Sequence, residues 1–91
     1  ILAVEGVDMA LIGPNDMSQD YGLLGRFDHP EMEAAFARVV AAAQAAGKQA
    51  GAHFGAAAPL KPWLERGMTV NMWNSDAGLL LAGTAGMAEL C

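Results

Sequence analysis

Short apolar segments alternate with helix-like segments three times along this chain, and the alternation limits the possible fold more than any other feature. Repeated strand–helix order is typical of right-handed crossover connections around a parallel sheet. We therefore predict an α/β fold, a parallel sheet of three consecutive βα units that forms a single unit over residues 1–91. The strands are predicted at residues 6–12, 49–54 and 68–73, and the helices from the 28–31 segment to Gly47, over 60–66 and over 77–90.

Three βα units form an open sheet with two unpaired edges. A closed barrel of eight such units needs about 250 residues, and an open parallel sheet must cover its apolar strands on both faces. Because exposed edges recruit partners, we expect either a homo-oligomer or completion by a further part of the protein. The first residue is Ile1 rather than Met, which adds to the expectation of a processed or truncated piece.

The first long helix carries start and stop signals. In the segment 28–31, Asp28 is the predicted N-cap, Glu31 would complete a capping box, and proline occupies the first turn, where its missing N–H costs nothing. His29 in the same turn is predicted to be structural. Gly47 is the predicted C-cap.

The segment Gly13–Gly22 follows the first strand directly and contains the best candidate for a site. Its Gly-Pro pair ends the strand, since proline has no N–H for the ladder. Ligands of parallel α/β sheets bind beyond the carboxyl ends of the strands, where Asp16 is placed. From the residues alone, Asp16 fits a ligand role and a cap or turn role equally well. Ser18 carries a nucleophile's hydroxyl, but no base is evident for it, which favours a local backbone hydrogen bond.

The charge balance excludes several classes of partner. The net charge is −5 and the five Lys and Arg residues are scattered, so no basic stripe is present for nucleic acid or an anionic membrane. No apolar run reaches the roughly 18 residues of a spanning helix, and no charged-then-apolar signal segment is present. The single cysteine, Cys91, cannot form an internal disulfide, which fits a cytoplasmic protein.

Four segments together resemble the HpcH/HpaI aldolase family. They are Glu5–Ser18 with its Gly-Pro-Asn-Asp motif, Asp28–Glu31, the turn Ala46–Lys48, and Ser75–Leu80. The resemblance runs without evident gaps over nearly all of the chain. It implies the last three βα units of a TIM (β/α)8 barrel, that is, the C-terminal portion of a barrel of about 250 residues.

The resemblance implies a lyase that uses a divalent metal (Mg²⁺, Mn²⁺ or Co²⁺) to cleave or form the aldol bond of a 2-oxo acid, with pyruvate and an aldehyde as small-molecule partners. It assigns Asp16 as a metal ligand, and the backbone at Asn15 to the pyruvate carboxylate. A hard cation with carboxylate and water ligands suits this chemistry. The family's second ligand, a Glu, and its Arg and His would lie before Ile1.

Two further positions are predicted to line the substrate pocket. His53 lies near the carboxyl end of the second strand, where the family usually has an apolar residue, and is interpreted as pocket lining rather than as a catalytic group. Ser75 matches a family position that borders the pocket and influences aldehyde size, whereas Asn74 replaces a common glycine. The segment Asn74–Asp76 also offers side chains to cap the last helix.

Two functions therefore remain open from the sequence. The first is the metal-dependent aldolase of the parent family. The second is a noncatalytic barrel fragment that self-associates through its open strand edges and lacks the upstream Glu, Arg and His.

Overall fold

The computed structural model describes residues 1–90, so Cys91, on which the cytoplasmic prediction rests, lies outside the described residues. The α/β prediction is confirmed. Seven elements follow one another: β1 (Met9–Ile12), α1 (Pro14–Asp20), α2 (Pro30–Ala45), β2 (Gln49–Phe54), α3 (Ala57–Glu65), β3 (Met72–Trp73) and α4 (Asp76–Leu90).

The three strands form a parallel sheet in the order β1-β2-β3. Along the β1–β2 pair, Met9 lies opposite Gln49 and Ile12 opposite Ala52. The first strand was predicted from residue 6, but it begins at Met9, because its register partner Gln49 is the first residue of β2. The parallel arrangement places the carboxyl ends of all three strands at one edge of the sheet.

The core lies between the sheet and α2. The central strand β2 is buried at four of its six residues, as expected for a parallel strand covered on both faces. Phe54 from this strand makes edge-to-face contacts with Phe27 and Phe36, whose ring centroids lie 5.6 and 6.2 Å away. Phe36 in turn contacts Trp63 of α3 at 5.4 Å. This aromatic row fixes both helices against the strand that leads to the candidate site.

The N-cap of α2 is His29, so the assignment of Asp28 was wrong. The His29 Nδ1 atom accepts the Glu31 N–H at 3.2 Å, and its backbone is extended with ψ 138°. Pro30 explains the shift, because proline holds the residue before it in extended conformation and itself takes the first helical position. The predicted stop is displaced by one residue: the C-cap residue is Ala46, and Gly47 follows it in the left-handed conformation with φ +68°.

The strand predicted over residues 68–73 is reduced to β3, Met72–Trp73. The reason lies in Asn71, whose Oδ1 accepts the Ala52 N–H at 3.0 Å, while its Nδ2 donates to the Met68 carbonyl at 3.0 Å. A side chain thus replaces the backbone acceptor that a regular strand would provide. The ladder resumes only where His53 and Phe54 pair with β3.

The helix α3 begins three residues before the predicted range of 60–66. Pro59 is the third residue of the helix, where a backbone N–H has no intrahelical acceptor, and the helix continues through Pro62. Leu60 and Trp63 are the buried residues of α3.

The last helix, α4, has no buried residue, and it exposes large apolar side chains along its length. None of the helices within residues 1–90 is both long and apolar enough to span a bilayer.

Candidate functional site

The Asp16 segment forms the turn between β1 and α1. Gly13 is the N-cap of α1 with extended backbone, Pro14 is the first helical residue, and no side chain caps this helix. Asp16 therefore does not act as the cap that its position in the sequence allowed. Its side chain is exposed in the first helical turn, where a negative charge is favourable.

Three of the four predicted site residues line one cavity. The cavity measures about 180 Å³ and is bounded by Gly13, Pro14, Asn15, Asp16 and His53. Its position follows from the sheet, because the loop after β1 and the end of β2 meet at the same edge. The sequence motif and the histidine 37 positions after Asp16 thus belong to one site.

His53 is held by a backbone carbonyl. Its Nε2 atom lies 2.8 Å from the Asn74 carbonyl oxygen, so this ring nitrogen donates its proton to that oxygen. Asn74 has φ +61°, a left-handed conformation that asparagine tolerates better than most residues and that glycine adopts freely. The hydrogen bond between His53 and the Asn74 carbonyl was not predicted. The sequence signal for it was an asparagine, a residue that tolerates the left-handed conformation, directly after a strand.

Ser75 lies apart from the cavity lining. Its Oγ accepts the Gly78 N–H at 3.1 Å, and the Asp76 carboxylate accepts the Ala77 N–H at 2.8 Å. The predicted capping of the last helix by this segment is confirmed. Its predicted contact with a substrate stays a prediction.

Ser18 has a structural environment. Its side chain is fully buried, its Oγ donates to the Asn15 carbonyl at 2.8 Å and accepts the Gly25 N–H at 3.2 Å. Both hydrogen-bonding functions of the hydroxyl are thereby used. The favoured interpretation of a local backbone hydrogen bond is confirmed, and Ser18 ties the loop after α1 to the segment that carries Asp16.

The described residues do not build a complete metal site. Within residues 1–90, no group of three or more His, Cys, Asp or Glu side chains converges as ligands for a metal. Asp16 contributes the one carboxylate in the cavity lining, beside the His53 imidazole. Mg²⁺ prefers six oxygen ligands, several of them water, and is usually held by one or two carboxylates together with substrate oxygens. Residues 1–90 alone therefore do not fit the implied cation.

This chain is similar to known proteins over nearly its whole length. A model of the family described as HpcH/HpaI aldolase/citrate lyase matches residues 1–82. The chain is 36% identical over 89 residues to the 5-keto-4-deoxy-D-glucarate aldolase of Escherichia fergusonii, which covers 98% of this chain and 35% of the relative. It is 38% identical over 88 residues to the 4-hydroxy-2-oxo-heptane-1,7-dioate aldolase of Salmonella paratyphi B, with 97% of this chain and 34% of the relative covered.

The fold matches that of a solved relative. The crystal structure of an HpcH/HpaI aldolase/citrate lyase family protein from Burkholderia cenocepacia J2315 superposes with a TM-score of 0.91 at 34% identity, covering 99% of this chain and 35% of that one. The chain thus spans about a third of the length of the relatives it matches. The predicted relationship to part of an aldolase barrel is confirmed. This chain belongs to the HpcH/HpaI aldolase/citrate lyase family.

Proposed function

We propose that this chain is part of a lyase that cleaves or forms the aldol bond of a 2-oxo acid, with pyruvate as product or donor and an aldehyde as partner. The cavity that joins Asp16, Asn15 and His53 at the carboxyl edge of the sheet carries the proposal. A polar pocket at this edge is where α/β enzymes bind their ligands. The family membership and the aldolase names of the relatives support the reaction class.

Each cavity residue has a proposed part in binding. Asp16 is proposed as one ligand of a divalent cation (Mg²⁺, Mn²⁺ or Co²⁺), with the remaining ligands supplied from outside residues 1–90. The backbone at Asn15 is proposed to hold the carboxylate of pyruvate. His53 is proposed to line the same pocket. Ser75, which lies apart from the cavity lining, is proposed to border the substrate on the side of the aldehyde.

A retro-aldol assay tests this function. Purified 91-residue chain is incubated with a 4-hydroxy-2-oxo acid, and pyruvate release is followed with and without Mg²⁺, Mn²⁺ or Co²⁺. Any metal-dependent turnover by the chain is expected to fall by more than about 100-fold in Asp16→Ala, beyond the usual loss for an outer partner of a metal site. Asp20→Ala is the matched control, since Asp20 is exposed on the same helix but does not line the cavity.

The assay discriminates clearly between outcomes. Metal-dependent turnover that is lost in Asp16→Ala and kept in Asp20→Ala supports the proposal. Equal activity of both variants would remove Asp16 from the site, and a folded chain without any turnover would favour the second function for the chain by itself.

That second function is a noncatalytic module that associates with copies of itself. Within residues 1–90, β1 and β3 are each paired on one side only, and α4 buries none of its side chains. Leu80 and Leu81 are about 70% exposed, which is unusual for adjacent apolar residues in a monomer. Light scattering after size exclusion gives the test: a dimer or larger species favours self-association, and a monomer at high concentration counts against it.

A further inference from the structure

The helix α4 does not return onto the sheet of its own chain. The two long helices before it do, since α2 places Phe36 against Phe54 of the central strand and α3 places Trp63 against Phe36. Trp73 of β3 lies opposite Phe54 in the sheet register and shares its face, yet the Trp73 side chain is 54% exposed. The outer face of β3 is therefore uncovered, while α4 buries none of its own residues.

The composition of α4 is typical of a helix that is buried on several sides. Its two charged residues, Asp76 and Glu89, lie near its two ends. Thr84 turns its hydroxyl back onto the carbonyls of Leu80 and Leu81. A helix that is apolar on all sides is normally buried. The surface that covers α4 must therefore be apolar and large enough for a helix.

Such a surface lies at the opposite edge of the sheet, between β1 and α2. We call it the β1 groove. It measures about 590 Å³, and its lining includes Leu2, Ala10, Tyr21, Arg38, Val39 and Ala42. Within residues 1–90, β1 is paired on one side only, and the groove lies beside this edge strand. In a parallel sheet with right-handed crossovers, the helix after one strand packs back onto the sheet beside the next strand. The β1 groove thus has the position that such a crossover helix takes.

The charges of α4 and of the β1 groove are complementary. Arg38 is the charged residue of the groove lining, and both charged residues of α4 are acidic. The Asp76 carboxylate already accepts a backbone N–H at the start of its own helix, which leaves Glu89 for a partner. The ion pair within residues 1–90 joins Arg66 to Glu33, so Arg38 and Glu89 have no ion-pair partner in that part of the chain.

We propose that α4 of one copy of this chain occupies the β1 groove of a second copy. This contact brings the open edge of β3 beside the open edge of β1, and one apolar helix covers both. The inference rests on the second proposed function, the association of copies, and deepens it by naming the two surfaces that meet. Because the two surfaces differ, the contact is heterologous, and its repetition gives a ring or an open chain of copies.

The first experiment places charges at exposed positions of the two surfaces. Ala42→Glu alters the groove, and the double variant Leu80→Glu/Leu81→Glu alters α4. Each is expected to raise the dissociation constant of the assembly at least about 30-fold, as when one large apolar side chain is kept out of the contact. Sedimentation velocity measures the constant, and circular dichroism verifies the fold. Ala45→Glu is the matched control, since Ala45 is exposed on α2 but does not line the groove.

The second experiment mixes the two defective variants. Ala42→Glu keeps an intact α4, and Leu80→Glu/Leu81→Glu keeps an intact groove, so an equimolar mixture retains one functional contact. The mixture is expected to form a heterodimer with one copy of each variant, at concentrations where each variant alone is monomeric. If the unmodified chain assembles but the mixture forms no heterodimer, the inference is overturned.

The third experiment exchanges the charges. Arg38→Glu and Glu89→Arg are each expected to weaken the assembly about fivefold, the effect of one ion pair near the surface. Both changes in one chain are expected to restore it, and an additive loss would overturn the pairing of these two residues.

The outcomes separate this inference from the function on which it rests. Assembly that persists unchanged in Ala42→Glu would overturn the inference and leave association through another surface in place. An unmodified chain that is monomeric at high concentration would overturn both.

Discussion

The side-chain oxygen of Asn71 accepts the Ala52 N–H at 3.0 Å and so takes the place of a backbone carbonyl in the parallel sheet. The same amide donates to the Met68 carbonyl, which closes the loop before β3. This side chain therefore links the loop before the short third strand to the buried centre of the sheet, in addition to the backbone pairing of β3 with β2.

Replacing Asn71 by leucine tests this connection. The Ala52 N–H would lose its acceptor in a buried part of the sheet, which costs about 1–3 kcal/mol of unfolding free energy. Urea denaturation followed by tryptophan fluorescence measures the change. Asn15→Ala is the matched control, because Asn15 is exposed and contributes its backbone carbonyl to Ser18. Equal stability of both variants would contradict the role given to Asn71.

Gly51 lies where the loop before β3 crosses the central strand. A Cβ at Gly51 would lie 1.5 Å from the Val70 carbonyl oxygen, so the backbone must move to accept any side chain. Gly51→Ala is expected to destabilise the fold by at least about 1–3 kcal/mol through overpacking. Gly55→Ala serves as the control, since no heavy atom lies within 4 Å of its added Cβ. Thermal unfolding of the two variants should separate them clearly, and similar midpoints would refute the crowding at Gly51.

Ser18 holds the candidate site loop from the inside. Ser18→Ala removes a fully buried hydroxyl and leaves the Gly25 N–H without its acceptor, at a cost of about 1–3 kcal/mol. Amide hydrogen exchange should show faster exchange at Gly25. Unchanged exchange there would mean that the hydroxyl does not hold this loop.

Substitutions of Asn74 test the left-handed turn whose carbonyl accepts the hydrogen bond from His53. Asn74→Gly keeps φ near +61° at little steric cost, whereas Asn74→Ala is expected to lose about 1–2 kcal/mol, the penalty of this conformation for an L-residue with a Cβ. Chemical denaturation gives both values. Both variants lose the side-chain bond to Ser75, so a glycine variant less stable than the alanine variant would contradict the role given to the left-handed backbone.

Sequence patterns predicted the elements whose residues carry their own signals. The range of β2 was predicted correctly, and α2 was recognised from the proline in its first turn and from Gly47 near its end. The shortening of β3 escaped prediction, because it depends on Asn71 reaching a strand that lies 19 residues earlier. Local preferences contain no information about such a tertiary hydrogen bond.

The candidate site was likewise predicted only in part. Asp16 and Asn15 were found from one motif after a strand, and parallel strands necessarily bring the end of β2 beside them, so His53 followed. The tautomer of His53 could not be predicted from the sequence, because it depends on which ring nitrogen donates to a carbonyl oxygen in the folded chain. The cap of α2 was misplaced by one residue because Pro30 restricts His29 more strongly than Asp28 attracts the helix start.

The unburied helix α4 has a consequence for how this protein is observed. A helix of 15 residues with three glycines is only marginally stable in water when nothing covers it. Its ellipticity at 222 nm should therefore rise with protein concentration if contact between molecules covers it, and stay constant otherwise. The ellipticity of the protein at 222 nm would then report self-association without a substrate or a label.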